Sequence, residues 1–190
     1  MTIFFIVFIL HWYLSLFSQT FFLHRYAAHS MFRMNAFWEK FFYFFTWITQ
    51  GSSYLSPYAY GILHRLHHAF TDTENDPHSP SYTKGLFPLM WKTKQIYGDI
   101  NSDKFPVDDK FMKNLPMWRS FDRFVSSFGI RIAWGVIYFL FYLAFATQWW
   151  MWLLFPITCL MGPVHGAIIN YFAHKYGYRN FEMEDTSKNF

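Results

Sequence analysis

Cysteine is nearly missing from this chain, since Cys159 is the only one among 190 residues. A single thiol cannot form an intramolecular disulfide, and it also excludes zinc sites built from CxxC pairs. Any metal bound by this protein must therefore be held by nitrogen and oxygen atoms.

Charged side chains are also scarce. They make up 15% of the sequence, against about 25% in soluble domains. The formal net charge of +4 is modest, and the basic residues form no stripe that carries an RNA- or DNA-reading motif. We therefore expect no nucleic-acid partner, and we interpret the basic residues as contacts with anionic lipid head groups.

Apolar and aromatic side chains dominate the composition instead. Hydrophobic residues make up 53% of the chain and aromatic residues 25%, with 26 Phe, 13 Tyr and 9 Trp. A lipid bilayer accepts these rings, and Trp and Tyr favour its interfaces. The N-terminus has neither a positively charged leader nor a small-residue cleavage site, so its apolar run is expected to be retained as a membrane span.

The apolar segments predict an all-α integral-membrane helical bundle that forms a single domain over residues 1–190. Residues 1–23 match the length of about 20 residues needed to cross the hydrocarbon layer, and Arg25 directly after them predicts a cytoplasmic end. Residues 130–146 and 149–169 predict a helical hairpin that returns the chain to the cytoplasm. We therefore expect about three transmembrane helices.

Residues 37–56 are less regular, because charged residues stand near their start and a Gln-Gly-Ser-Ser sequence interrupts them. The sequence favours an embedded or re-entrant helix here, since a full crossing would put His29 and His64 on opposite sides of the membrane. Residues 57–127 are polar and predict a cytoplasmic, membrane-associated helical region that carries histidine boxes.

Nine histidines are available as metal ligands, and five of them form two boxes. His24 and His29 form an HxxxxH pair where the first span ends. On a regular α-helix five residues turn through about 500°, so these two rings would point roughly 140° apart. They converge only if they straddle a metal pair or if the helix distorts. His64, His67 and His68 form an HxxHH box, whose i, i+3 and i+4 positions share one helix face.

A third candidate position follows the last apolar segment. Asn170 and His174 are four residues apart and share a helix face. His165 lies nine residues before His174, about 900° of rotation away, so it should face the opposite side and is not counted as a ligand. His165 and His11 are interpreted as ordinary polar residues of the membrane boundary. Two boxes of imidazoles beyond apolar spans are instead typical of a site for Fe, Zn, Cu or Ni.

Three sequence elements resemble one known family. They are HRYAAH at residues 24–29, HRLHHAFTDTENDPHSP at 64–80 and NYFAHKYG at 170–177. In this order they are similar to the HxxxxH box, the HxxHH box followed by DPH, and the NxxxHxxG element of the integral-membrane acyl-CoA desaturases, the stearoyl-CoA type with bacterial relatives. The run from HxxHH to DPH is the most specific part, because alkane hydroxylases, sterol oxidases and carotenoid hydroxylases share histidine boxes without it.

The resemblance implies a di-iron centre held mainly by imidazole. Matching the motifs residue by residue assigns iron ligation to six histidines and a contact through water to one asparagine, which are His24, His29, His64, His67, His68, His174 and Asn170. The resemblance also favours Asp76 and His78 as groups that orient the ligands. A solvated loop is the alternative for these two residues.

The implied reaction inserts a cis double bond into a long saturated acyl chain, carried as acyl-CoA or as another acyl lipid. It uses O2 and two electrons from a separate carrier of the ferredoxin or cytochrome b5 type, together with the reductase of that carrier. The expected location is a bacterial inner membrane, with the site on the cytoplasmic side.

One departure from the family pattern concerns a third HxxHH box, which the family carries after the NxxxHxxG element and which this sequence lacks. The sequence therefore resembles either a fragment of a longer protein, which we favour, or a degenerate member. Two alternatives to desaturation stay open: a related di-iron lipid hydroxylase, and a membrane metal-binding protein without catalytic activity.

Overall fold

A computed structural model describes residues 1–71, 73–79, 85–172 and 178, and these are mainly helical, so the predicted all-α class is confirmed. Two π-helical segments, Gln19–Ala28 and Ile168–Phe172, continue the first and last helices, and short 3₁₀ turns occupy Gly51–Ser53 and Trp149–Leu154. The helices are α1 (Thr2–Ser18), α2 (Ala36–Gln50), α3 (Pro57–Phe70), α4 (Leu86–Asn101), α5 (Asp109–Met112), α6 (Arg119–Val125), α7 (Phe128–Phe145), α8 (Phe155–Cys159) and α9 (Met161–Ala167).

Two helical rods are long and apolar enough to cross a membrane: Thr2–Ala28, which joins α1 to its π-helical continuation, and α7. Only 22% of the apolar part of the first rod and 11% of that of α7 is buried inside the protein. Soluble monomers rarely expose apolar surface on this scale. The outward-facing Ile, Leu, Val and Phe side chains of both rods are therefore explained by contact with lipid.

The segment predicted as the third span forms two apolar helical pieces. Trp149–Cys159 and Met161–Phe172 are long and apolar enough to cross a membrane only together, and they meet at a bend of 80°. Pro163 accounts for the break, because a proline lacks the N–H that a continuous helix would donate to the carbonyl of Cys159. That carbonyl instead accepts a hydrogen bond from Ser52 Oγ at 2.7 Å, and Ser53 Oγ accepts one from Gly162 N at 3.0 Å.

The embedded helix of the prediction corresponds to α2. Its 15 residues give a length of about 22 Å, which is shorter than the ~30 Å hydrocarbon layer. Asn35 caps its start by accepting a hydrogen bond from Trp38 N at 3.0 Å. Near its end, the hydroxyls of Thr49 and Ser18 form a buried hydrogen bond of 2.6 Å. Helix α2 therefore packs beside the first rod, although it is too short to cross the membrane fully.

The polar region forms a small core of its own beside α3. Buried side chains of α3, α4 and α5 meet there, among them Ile62, Leu66, Ile100 and Phe111. This core contacts the side of α3 that carries Leu66, and it leaves the opposite face of the same helix, with its histidines, turned toward the first rod. The packing of α3 therefore decides where the HxxHH box lies.

Candidate metal centre

The HxxxxH pair lies where the first rod is π-helical. His29 N donates a hydrogen bond of 3.0 Å to the carbonyl of His24, five residues earlier. This is the bonding pattern of a π-turn, which often marks functional sites. Because such a turn brings residue i+5 over residue i, the two Nε2 atoms lie only 3.2 Å apart. The angle of roughly 140° applies to a regular helix, and of the two ways in which the rings could converge, the structure shows the helix distortion.

The HxxHH box lies on α3, which begins with a standard start signal. Ser56 is the N-cap, Pro57 occupies the first turn, and both favour helix initiation. His64 and His68 are one turn apart, with Nε2 atoms at 3.0 Å. His64 Nε2 also lies 3.0 Å from His29 Nε2. The two boxes therefore meet through His64.

Four imidazole nitrogens form this contact chain, and hydrogen bonds alone cannot satisfy it. Each ring nitrogen carries either one proton or one lone pair, so it takes part in one hydrogen bond. Four nitrogens can then form at most two such bonds, whereas three contacts of 3.0–3.2 Å join them. A cation held by the lone pairs explains the arrangement, and His24, His29 and His64 present ligand atoms within 4.8 Å of one another. The residues present thus fit a metal.

The protonation state of these rings also suits a metal ligand. Burial lowers the pKa of His64 well below the usual imidazole value, and the neighbouring His24, His68, His29 and His78 lower it further. Burial, followed by the positive charge of Arg65, lowers the pKa of His29. Neutral imidazole is the form that binds metals, because protonation removes the lone pair.

A second group of possible ligands lies beside the first. His67, Asp76 and His78 present ligand atoms within 4.8 Å of one another, and all three residues are buried. Both carboxylate oxygens of Asp76 lie 2.9 Å from His67 Nδ1, and Oδ1 accepts a hydrogen bond from His78 N at 3.0 Å. Since a carboxylate only accepts, His67 presents a proton on Nδ1 to Asp76, and a bond of this kind orients an imidazole so that its Nε2 can bind a metal. Asp76 and His78 are therefore buried at the site and do not lie in a solvated loop.

Helix α4 holds the loop that carries Asp76. Lys92 Nζ donates to the carbonyl of Asp76 at 2.9 Å, and Thr93 Oγ1 donates to the carbonyl of Pro77 at 3.2 Å. These bonds join α4 to two consecutive carbonyls, those of Asp76 and Pro77. The position of the carboxylate thus depends on residues of a helix that lie 16 positions later in the chain.

Arg65 joins the two boxes, and sequence reasoning missed it because it points away from the shared face of His64, His67 and His68. Its guanidinium donates to the carbonyls of Ala27 and Ala28 at 3.1 and 2.7 Å, which are the last carbonyls of the π-helical segment. It also donates to the carbonyls of Phe111 and Lys113 at 3.0 and 2.6 Å. The available signal was that a guanidinium next to a membrane span requires partners.

Four further histidine and asparagine positions were considered in the sequence, and the structure describes three of them. Asn170 lies half-buried on the π-helical segment Ile168–Phe172, whereas His174 lies outside the described residues. Their assignment as a third contributor stays a prediction. His11 and His165 were expected at the membrane boundary, but they lie inside the bundle. His11 Nε2 is 3.3 Å from Tyr138 Oη, and His165 is 2% exposed.

A membrane helical bundle whose two histidine boxes converge on one candidate metal site defines a class of integral-membrane, histidine-rich proteins. Comparison with known proteins narrows this class. The family model for fatty acid desaturase matches residues 1–189, and the chain belongs to the fatty acid desaturase family. No solved structure gave a significant match.

Individual relatives agree with the family. The Delta-9 desaturase-like 5 protein of Arabidopsis thaliana is 30% identical over 182 residues, which cover 90% of this chain and 54% of the relative. The Delta-9 acyl-lipid desaturase 2 of the same plant is 30% identical over 87% of this chain and 51% of its own length. The Acyl-CoA 5-desaturase AL21 of Anemone leveillei is 24% identical, over 91% and 51%. The chain thus spans about half the length of the curated relatives it matches.

Proposed function

We propose that this chain provides the metal-binding part of an O2-dependent fatty acid desaturase. The observation that supports this proposal most strongly is that His24, His29, His64 and His68 converge, with Nε2 atoms 3.0–3.2 Å apart. That convergence occurs in a chain that belongs to the desaturase family. The proposed substrate is a long saturated acyl chain, carried as acyl-CoA or as another acyl lipid, into which a cis double bond is inserted.

The proposed metal is a pair of iron ions, held by the two described groups of histidines and completed by His174 and, through water, by Asn170. When bound, the irons supply the oxidising power for C–H cleavage, which acid–base side chains do not have. The net reaction removes two hydrogens from the acyl chain and consumes O2, two protons and two electrons, forming two waters.

The protein's own residues set the conditions for this chemistry. Neutral imidazoles bring lone pairs without adding negative charge, so the site keeps the full charge of its metals. Asp76 fixes the tautomer of His67 through bonds of 2.9 Å. The apolar rings around the first rod suit an alkyl chain.

The remaining partners follow from the same proposal. The electrons come from a separate carrier of the ferredoxin or cytochrome b5 type with its reductase. The proposed location is the inner membrane of a bacterium, with the histidine site on the cytoplasmic side. The relatives named above are plant proteins, so the bacterial membrane rests on sequence motifs alone.

Metal content and lipid products together test this function. The full chain, expressed with ample iron in a host that lacks its own desaturase, is expected to purify with bound iron. His64→Ala is expected to lose most of that iron, because His64 joins the two boxes. His11→Gln, a histidine of the same rod outside the cluster, is the matched control and should keep it.

Products are read by mass spectrometry of fatty acid methyl esters after feeding deuterated stearate. A new alkene that disappears in His64→Ala supports desaturation, whereas only hydroxylated lipid would establish the hydroxylase instead. Protein that carries no iron when iron is plentiful would overturn the metalloenzyme proposal altogether.

A further inference from the structure

A second polar site lies inside the membrane bundle, where α9 packs on α1. The rings of His165 and Trp12 meet edge to face with centroids 4.6 Å apart. One turn earlier on α9, the carbonyl of Gly162 accepts a hydrogen bond from Gln19 Nε2 at 3.4 Å. The two helices therefore run antiparallel here, and positions 12, 15 and 19 of the first rod share the face that meets α9. Ser15 lies between these two contacts.

Several polar atoms along this face are buried without a hydrogen-bond partner among the described residues. They are both ring nitrogens of His165, the hydroxyl of Ser15 and the Oε1 atom of Gln19. The three side chains are only 2%, 0% and 7% exposed. A buried polar group left unpaired costs free energy, so several of them on one face weigh against the marginal stability of a folded protein. A bound ligand that pairs with Gln19 Oε1, with the Ser15 hydroxyl and with one of the two ring nitrogens of His165 removes most of that cost.

The chemistry of the atoms restricts the ligand. A charged imidazole is costly at this depth of a membrane, so His165 offers one N–H donor and one lone pair. Gln19 Oε1 only accepts, and the Ser15 hydroxyl does both. An anion would leave Gln19 Oε1 unpaired, and a cation would meet only neutral ligands at a depth where charge is costly. The ligand must be neutral, must both donate and accept, and must fit between two packed helices.

We propose that Ser15, Gln19 and His165 bind an internal water molecule that joins α9 to the first rod. Water donates two hydrogen bonds and accepts two, and buried waters make about three bonds to protein groups. The site lies next to the 80° break between α8 and α9. Ser52 and Ser53 pair with backbone groups before and after that break, the carbonyl of Cys159 and the N–H of Gly162, at 2.7 and 3.0 Å. The bound water joins α9 to the first rod beyond these bonds, and this role does not depend on the desaturase proposal.

Infrared difference spectroscopy tests the water directly. The full chain in lipid nanodiscs is compared in ordinary water and in water enriched in ¹⁸O. We expect a narrow O–H stretching band that shifts with ¹⁸O and is lost in both Ser15→Ala and His165→Phe. Thr158→Val is the control and should keep the band, because the Thr158 hydroxyl is equally buried but already shares a 2.8 Å bond with Tyr142.

Solid-state NMR provides a second measurement, in which the His165→Phe variant serves only to assign the signal of His165. In ¹⁵N-histidine-labelled protein, solid-state NMR should show magnetisation transfer from water protons to the ring nitrogens of the histidine whose signal His165→Phe removes. Transfer only from lipid protons would overturn the proposal. So would an infrared band that is lost in the variants but insensitive to ¹⁸O, which indicates a lipid hydroxyl, or a metal ion that His165→Phe alone removes.

Discussion

At the scale of single residues, spacing identified the imidazoles that meet but not the group that holds them together. The i, i+4 relation of His64 and His68 follows from helix geometry alone, and the structure shows it as a 3.0 Å contact. Arg65 acts on carbonyls that come from positions 27, 28, 111 and 113. No local pattern brings these carbonyls together, so its role could only be seen after folding.

Replacing Arg65 should loosen the junction of the two boxes. Arg65→Ala is expected to lower the stability by about 2–3 kcal/mol, because hydrogen bonds to a charged group are each worth about 1.5–3 kcal/mol. It should also weaken iron binding by about tenfold or more, as losses of supporting residues around metal ligands do. Arg65→Lys should be intermediate, since an ammonium cannot reach the same set of acceptors. Thermal unfolding and iron content measure both effects.

The matched control is Arg25→Ala. Arg25 also directly follows a box histidine, but its side chain is exposed, so both the melting temperature and the iron content should stay unchanged. Equal losses from both variants would show that net positive charge near the site matters and not the bonds of Arg65. An unchanged iron content in Arg65→Ala would contradict the proposed role of Arg65 in joining the two histidine boxes.

At the scale of elements, α3 could be predicted with its start, whereas the π-helical segment could not. Ser56 and Pro57 are recognisable as the cap and first residue of a helix. The segment Gln19–Ala28 contains no proline or glycine, and nothing in its composition separates π from α bonding. The distortion depends on tertiary contacts, such as the Arg65 bonds to its last carbonyls.

The start of α3 is fixed by a buried carboxylate. Asp122 is 0% exposed and accepts hydrogen bonds from Tyr54 Oη at 2.6 Å and from the Ser56 hydroxyl at 2.8 Å. Burial raises the pKa of Asp122, while these two bonds oppose that rise. Burial also raises the pKa of Tyr54, so its phenol keeps the proton that it donates.

Asp122→Ala should therefore destabilise the protein by about 2 kcal/mol, because it leaves two buried hydroxyl donors unpaired. Asp122→Asn keeps one carbonyl acceptor and should cost less. Asp99→Ala, which removes an exposed carboxylate of α4, should change the stability by no more than about 0.5 kcal/mol. Denaturation in detergent measures all three. A loss of stability in Asp99→Ala as large as that in Asp122→Ala would show that the hydrogen bonds of Asp122 do not stabilise the start of α3.

At the scale of the whole molecule, the number of apolar segments was predicted but the bend in the last one was not. Residues 149–169 were expected to form one arm of a helical hairpin, and no bend was predicted although the sequence contains Pro163. A proline in a membrane helix produces either a kink or a full break. Which of these occurs depends on whether another element can pair with the freed backbone groups. Here the 3₁₀ turn Gly51–Ser53 does so, and that contact lies more than a hundred residues away in the chain.

The packing of the two rods predicts the sidedness of the protein. Phe4, at the start of the first rod, packs on Tyr142 near the end of α7 with ring centroids 5.0 Å apart, so the rods are antiparallel. The histidine end of the first rod and the α7–α8 connection therefore lie on opposite sides of a membrane. The positive-inside rule then predicts that the histidine side is cytoplasmic, since Arg25 follows the first span.

Cysteine labelling checks this prediction with little background, because Cys159 is the only native thiol. In a Cys159→Ala chain, Gln148→Cys should react with a membrane-impermeant maleimide added to intact cells. Lys104→Cys should react only after the cells are opened, because Lys104 is an exposed residue of the polar region. The reverse labelling pattern would place the histidine site outside, where an intracellular electron carrier could not reach it. Labelling of both positions in intact cells would contradict a bundle with two antiparallel spans.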